Sequence, residues 1–289
     1  MLFVIIGCLQ ISDQEYQTKM DELSSEEEES TAELFILSPN EMTVLCPDAA
    51  VGDSGEVNEI LYTKQDRDGL LQLVQSEDWS AIETSCTSGI SDMSDLFRGS
   101  EFDGDISYWD LSSTVNTSGM FAETTSFGGD ISSWELSAVT DMSEMFRGAA
   151  QFNRDVSSWD VSLVVDMRGL FAETASFNGD LSDWNVSAVT DMSEMFQAAE
   201  KFNGDLSNWE ISVVNNTESM FRGTLRFNRS IATWDVSNIT NMNGMFADSA
   251  SFNQDLSGWC VSHFSAEPAD FDSGADSWTE PRPIWGTCP

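Results

Sequence analysis

Basic residues are scarce in this chain: 12 Lys and Arg stand against 50 Asp and Glu, for a net charge of −38, and there is one histidine, His263. A surface of that sign repels polyanions, which excludes nucleic acid and anionic membrane surfaces as partners. Zinc clusters need several Cys or His ligands at short spacing. With a single His and no Cys-x-x-Cys among the five cysteines, such a cluster lacks its donors. The same scarcity disposes of a serine triad. Gly52-Asp-Ser-Gly55 looks like a protease nucleophile motif, but the only imidazole lies some two hundred residues further on, near the other end of the chain. Long apolar runs are missing too: MLFVIIGCLQ, residues 1–10, falls well short of the roughly 20 residues that span a bilayer. Catalytic constellations are absent from the pattern, and the chain reads as non-enzymatic.

What the chain has in abundance is repetition. Tryptophan stands at 109, 134, 159, 184, 209, 234 and 259, a strict period of 25. Phenylalanine precedes each tryptophan by seven residues (102, 127, 152, 177, 202, 227, 252), and another follows it by twelve (121, 146, 171, 196, 221, 246, 271). Aliphatic residues fill fixed places between them, such as Ile131, Leu136 and Val139. A period of this length belongs to stacked arrays, in which no unit buries its own apolar face and neighbours share one core. The aromatic ladders are therefore expected inside; a sugar-stacking platform would require the indoles to face water.

Within a unit the apolar spacing changes. Ser133, Trp134, Glu135, Leu136 and Ser137 alternate, which predicts a short strand. Met142, Met145, Phe146 and Ala149 are three and four apart, and Asp141 with Glu144 has capping-box spacing, as has Asp191 with Glu194, which predicts a short helix or helical turn. Phe-Asn-Gly-Asp at Phe177 and Phe202 supplies turn chemistry, with Asn and Gly available for positive φ. The fold class that follows is an α/β repeat solenoid, leucine-rich-repeat-like, with one short strand and one short helix or helical turn per 25-residue unit.

The organisation follows from where the period holds. Residues 1–12 form an apolar stub, either a signal remnant or a buried end. Residues 13–40, with four consecutive glutamates at 26–29, are an acidic segment with little to bury and are expected to be disordered. Residues 41–89 form an N-terminal cap, with a hairpin between Val51 and Tyr62 and a helix from Asp66 to Gln75. Residues 90–259 are the repeats, and residues 260–289 a C-terminal cap. Cys46 and Cys86 flank the array on one side, Cys260 and Cys288 on the other, which suggests two disulfides fastening the ends and an oxidising compartment.

Three outward rows are the candidate contacts. Asp110, Glu135, Asp160, Asn185, Glu210 and Asp235 follow the tryptophans, and Ser137, Ser162, Ser187 and Ser212 lie two further on. On stacked strands these rows would make a polar face for a protein or glycan on a cell surface or matrix; the alternative is an ordinary solvated face in which Ser bonds locally. The third row, Asp105, Asp130, Asp155, Asp180, Asp205 and Asp255, reads as turn capping. No cofactor is called for. Calcium alone stays in view, on the Asp rows and at Asp270-Phe-Asp-Ser-Gly274, where Ala275 stands in place of the glycine that an EF-hand loop requires.

The unit Phe-Asn-Gly-Asp-Leu-Ser-x-Trp-x-Val-Ser-x-Val-Thr-Asp-Met-Ser-x-Met-Phe resembles the BspA-like leucine-rich-repeat surface proteins, in particular the subgroup with 25- to 26-residue repeats. The flanking Cys46-Pro, Cys86-Thr-Ser-Gly and Trp285-Gly-Thr-Cys-Pro are similar to the caps of such arrays. That resemblance implies export, an extracellular or cell-surface location, and adhesion or binding by a monomer; a secreted spacer or matrix component is the other reading. It transfers no catalytic residue.

Overall fold

The computed structural model describes residues 34–289. The apolar stub and the glutamate block lie outside the described residues.

The N-terminal cap is built from β1 (Ile36–Leu37), β2 (Val44–Leu45), β3 (Ser54–Val57), β4 (Ile60–Lys64), α1 (Arg67–Gln75), α2 (Trp79–Glu83) and β5 (Ser85–Cys86). β1 pairs antiparallel with β2, and β4 lies between antiparallel β3 and parallel β5. The expected hairpin and helix are both present. The cap starts earlier than residue 41, however: Phe35 is buried and β1 is paired, so residues 34–40 belong to it. The apolar run Leu34 to Leu37 supplies the burial that the glutamates before it lack. A side chain at Gly55 would collide with the Phe35 ring, which accounts for a glycine inside β3. Asp66 caps α1 by accepting from Gly69 N at 2.8 Å. Leu70 of α1 and Ile82 of α2 then join the core of the repeats, and a second small core gathers Phe35, Val44, Val57 and Tyr62 around the Cys46–Cys86 disulfide.

From Ile90 onward one hydrophobic core runs unbroken to the C-terminal cap, with every repeat tryptophan and both phenylalanine ladders inside it. The indoles are 1–4% exposed. Up to Phe246 and Phe252 each phenylalanine lies flat on its equivalent in the neighbouring unit, as Phe146 on Phe171 at 5.8 Å, and on the phenylalanine six residues away, as Phe146 on Phe152 at 4.0 Å. Trp134 and Trp159 stack at 6.5 Å. From Trp134 to Trp259 each indole N–H donates to a carbonyl 28 residues earlier, as Trp184 Nε1 to Val156 O at 3.0 Å and Trp209 Nε1 to Leu181 O at 2.9 Å, and Trp109 Nε1 donates to Ile82 O of the cap. The tryptophans are thus core residues whose one polar atom is spent on holding neighbouring units together.

The backbone corrects the expected strand and helix. Around Trp134 the burial alternates as predicted, but the amides turn back on their own chain: Trp134 N bonds Ile131 O and Val139 N bonds Leu136 O. No strand forms there. The link between units lies instead in the stretch read as helical. Isolated parallel bridges join Asp92, Asn116, Asp141, Asp166, Asp191, Asn216 and Asn241 in series. After each bridge every second amide reaches the next unit, as Glu144 N to Arg168 O and Phe146 N to Leu170 O, while the amides between bond three residues back, as Met145 N to Met142 O. Glu144 and Gly148, at φ 56° and 70°, are left-handed, a geometry no α-helix contains. The capping-box aspartates make no helix cap either: Asp141 Oδ1 accepts from Ser143 N, two residues on. Among the described residues, units 90–259 hold neither a helix nor an extended strand.

The array ends in aromatic rings set across the stack. Trp278 meets Phe252 at 87° and Phe246 at 72°, and Phe271 meets Phe246 at 81°. Cys260 and Cys288 are joined, so both expected disulfides are present.

Candidate functional site

The position after each tryptophan faces outward from 135 to 235, because the indole and the following aliphatic residue point in. Asp110 departs from the row. It is 6% exposed beneath the N-terminal cap, its backbone exchanges hydrogen bonds with the Thr87 hydroxyl, and it is withdrawn from any surface contact. Asp160, Asn185 and Asp235 each accept from the backbone N–H of the serine two residues on, at 3.0, 3.2 and 3.0 Å. The Ser162 hydroxyl and N–H hold the Asp160 carboxyl below its ordinary pKa, and Ser237 does the same for Asp235. Ser137 and Ser187 are exposed, Ser162 and Ser212 half-buried.

Glu135 and Glu210 behave differently. Their side chains are one methylene too long for that turn, and among the described residues neither has a side-chain hydrogen bond or ion pair. Glu135 stands with Asp160, Ser133, Ser137 and Ser158 around a cleft of about 330 Å³. Of the first two polar rows, Glu135, Ser137 and Asp160 line that cleft, at the junction of two units, and the others do not.

The third row does cap turns. Asp130, Asp155, Asp180, Asp205 and Asp255 each accept from the serine two residues on at 2.9–3.0 Å, and those bonds lower their pKa values. Sequence reading gave Phe-Asn-Gly-Asp the wrong geometry. Asn178 and Asn203 are not left-handed; their amide oxygens receive the backbone N–H of Asn203 and Asn228 in the next unit, at 2.8 and 3.0 Å. Gly179 is there because a Cβ would come within 2.9 Å of the Phe177 ring.

Two features escaped the sequence reading. Asp103, Asp105, Asp130 and Arg154 line a polar cavity of about 480 Å³, roofed by Met42 of the cap. Its signal was Gly128, where later units carry Asn153, Asn178, Asn203, Asn228 and Asn253. The second is a charge ladder with twice the basic period. Arg147 binds Glu173 in the next unit at 3.0 Å and Glu194 two units on at 2.8 Å; Arg98 reaches Glu144 at 3.1 Å in the same way. Gly169 and Gly119 make room in the units that are stepped over.

Asp141, Asp166 and Asp191 form an acidic column along the bridges. Burial, with repulsion from its two neighbours, raises the Asp166 pKa despite Arg168 and the Arg168 N–H. A carboxyl whose folded pKa is raised weakens the fold above that pKa, and the penalty lifts as pH falls through it. Asp166→Asn should therefore raise the melting temperature at pH 7 and have little effect near pH 3. Asn116 and Asn216 already occupy this column. A lower melting temperature at pH 7 would show that the charge is not under strain.

Among the described residues no group of three or more His, Cys, Asp or Glu side chains gathers to hold a metal. Asp272 of the EF-hand-like stretch is bound to Arg282 at 2.6 Å. Ser54 of the protease-like motif bonds Thr63 across the hairpin, at the opposite end of the array from His263. Among the described residues no helix is long and apolar enough to cross a membrane.

A chain of 25-residue units joined by a continuous aromatic core, with a disulfide at each end, is a repeat protein. It belongs to the family described as Mycoplasma protein of unknown function, DUF285, whose pattern matches residues 70–182, 127–225, 149–259 and 205–281. No curated protein and no solved structure matches the chain.

Proposed function

We propose that the chain is an exported, leucine-rich-repeat-like solenoid of the BspA-like kind, which binds a protein or glycan on a cell surface or matrix, as a monomer and without catalysis. The observation that carries this reading is the cleft between units, where Glu135 and Asp160 share a concave polar surface with Ser137. Two disulfides support an extracellular location, since such bonds persist in oxidising compartments. The contact residues are Glu135, Asp160, Asn185, Glu210 and Asp235 with the serines beside them.

Glu135→Ala, Asp160→Ala and Glu210→Ala combined should abolish binding to cells or to a glycan array at a stability cost of about 1 kcal/mol, the loss of the Asp160 bond to Ser162, since the two glutamates are unbonded. Repeating the assay with and without calcium separates direct contacts from ion-bridged ones. Unchanged binding would remove these carboxylates from the site. One observation favours the spacer reading: Asp160 and Asp235 are already occupied by Ser162 and Ser237. In that case no surface or glycan would be bound at all.

A further inference from the structure

Four of the five large apolar side chains exposed within the repeats fall on one strip: Val115 at 43%, Leu163 at 54%, Val165 at 43% and Val213 at 45%. The strip has two rows: a backbone ladder (Thr140 N to Val115 O, Val165 N to Thr140 O, Thr190 N to Val165 O) sets Val115 and Val165 two units apart with the half-buried Thr140 between them, and Leu163 and Val213 stand in the row two residues before. Ala138 and Ala188 fill the units between, half-buried. Large and small residues thus alternate from unit to unit, giving an apolar ridge at 163 and 165 with shallower ground on either side. Five units at about 4.8 Å each make a strip of roughly 20 Å, the length of a helix of about 13 residues.

Acidic groups border the strip on both sides. Glu135, Asp160 and Glu210 stand three residues before one edge, and the column Asp141, Asp166 and Asp191 follows the other. Arg168 is a cation within this border and offsets the charge of Asp166 beside it. An apolar band between two acidic rows is complementary to a helix with one apolar face and lysines or arginines along both margins. A chain of net charge −38 repels a second copy of itself, which argues against self-association through this face.

We propose that this strip docks a basic amphipathic segment of another protein, apolar face on Leu163 and Val165, cationic margins on the two acidic rows. The inference rests on the reading of this side of the array as a binding face, and gives that face its partner class.

The test uses the full chain and three labelled peptides of about 14–18 residues, four to five helical turns. One is amphipathic leucine and lysine, one has glutamate for lysine, and one has serine for leucine. The leucine–lysine peptide should bind with an affinity that falls as salt rises, and the other two at least tenfold more weakly. Leu163→Ser with Val165→Ser should weaken it at least tenfold with an unchanged melting curve. Binding of the serine–lysine peptide as tight as that of the leucine–lysine peptide would reduce the effect to bulk charge and overturn the proposal. So would undiminished binding by the double variant, or no binding at low salt. Cell binding that survives in the double variant but fails in the Glu135, Asp160 and Glu210 variant would remove this inference alone. The converse pattern would remove the carboxylate cleft and that acidic margin together, leaving the apolar strip bordered by the Asp141, Asp166 and Asp191 row alone.

Discussion

Trp184→Ala should cost about 3–5 kcal/mol, as truncation of a large buried aromatic does when the surroundings cannot close the gap. Trp184 lies mid-array, 4% exposed, stacked at 6.4 Å on Trp159 and 6.2 Å from Phe171, with its indole N–H on Val156 O. The change removes the ring from two units at once and takes from Val156 O one of its two donors, leaving it the Trp159 N–H at 3.2 Å. Trp184→Phe keeps most of the apolar area and loses only the N–H, so it should cost clearly less, on the order of 1–3 kcal/mol. Because units touch only their neighbours, a central defect divides the array, and urea unfolding of the alanine variant should broaden or split into two steps. Glu210→Ala, on the outer face one unit along and with no side-chain hydrogen bond, serves as the control and should shift stability by under about 0.5 kcal/mol. If the alanine variant lost less than this control allows, the indoles would not be the cement between units.

The core was legible because burial is set by apolar pattern, and the pattern is nearly perfect for seven units. Which residues turn inward around Trp134 was read correctly for the same reason. Hydrogen bonding was not legible from that pattern. Alternating burial suits a strand, and here the Asp130 side chain folds the chain back at Ser132, so the amide of Trp134 finds Ile131 rather than a neighbouring strand. Three-and-four spacing suits a helix, and here it arises from turns that bond three back while every other amide reaches sideways. The clue lay in glycine. Gly148 sits inside the supposed helical face, and Gly119, Gly169 and Gly244 occupy the place held by Glu144 and Glu194 in alternate units, all at positive φ. Glycine at a fixed place in a helical pattern marks a backbone that is not helical.

The candidate site was legible in part. The outward direction of Glu135, Asp160 and Glu210 follows from the inward direction of the tryptophans, and the cleft shared by Glu135 and Asp160 could be anticipated from stacking. The loss of Asp110 could not, because the residues that bury it belong to the irregular cap, where no period operates. The exposed Leu163 and Val165 were overlooked because apolar residues in an apolar ladder pass as core. Only the burial of Val164 between them shows that its two neighbours must point the other way.

Cys260→Ser with Cys288→Ser should destabilise the C-terminal end by about 3.6 kcal/mol on the chain-entropy estimate for a 28-residue separation, and Cys46→Ser with Cys86→Ser the other end by about 3.9 kcal/mol for 40. The two losses should nevertheless look different. The N-terminal cap has two small sheets, two helices and a core of its own, so without its disulfide it should loosen yet stay folded. Beyond residue 259 no helix or strand is formed, and the cap is joined to the preceding units by bonds from an irregular segment: Gly244 N to Ala269 O, Phe246 N to Phe271 O, Asp248 N to Ser273 O, Leu256 N to Pro281 O, and Trp278 Nε1 to Gln254 O. Once the bridge is cut, those bonds should open as a group. Hydrogen exchange should then accelerate at residues 256–287 well before the central units, and the uncovered faces of Phe246 and Phe252 should make the variant associate as its concentration rises. An array needs its ends sealed for the same reason that its middle is stable, since each face buried by a neighbour is exposed where the neighbours stop. If exchange in the variant stayed slow across 256–287, the cap would be held by its aromatic contacts alone and the disulfide would be dispensable.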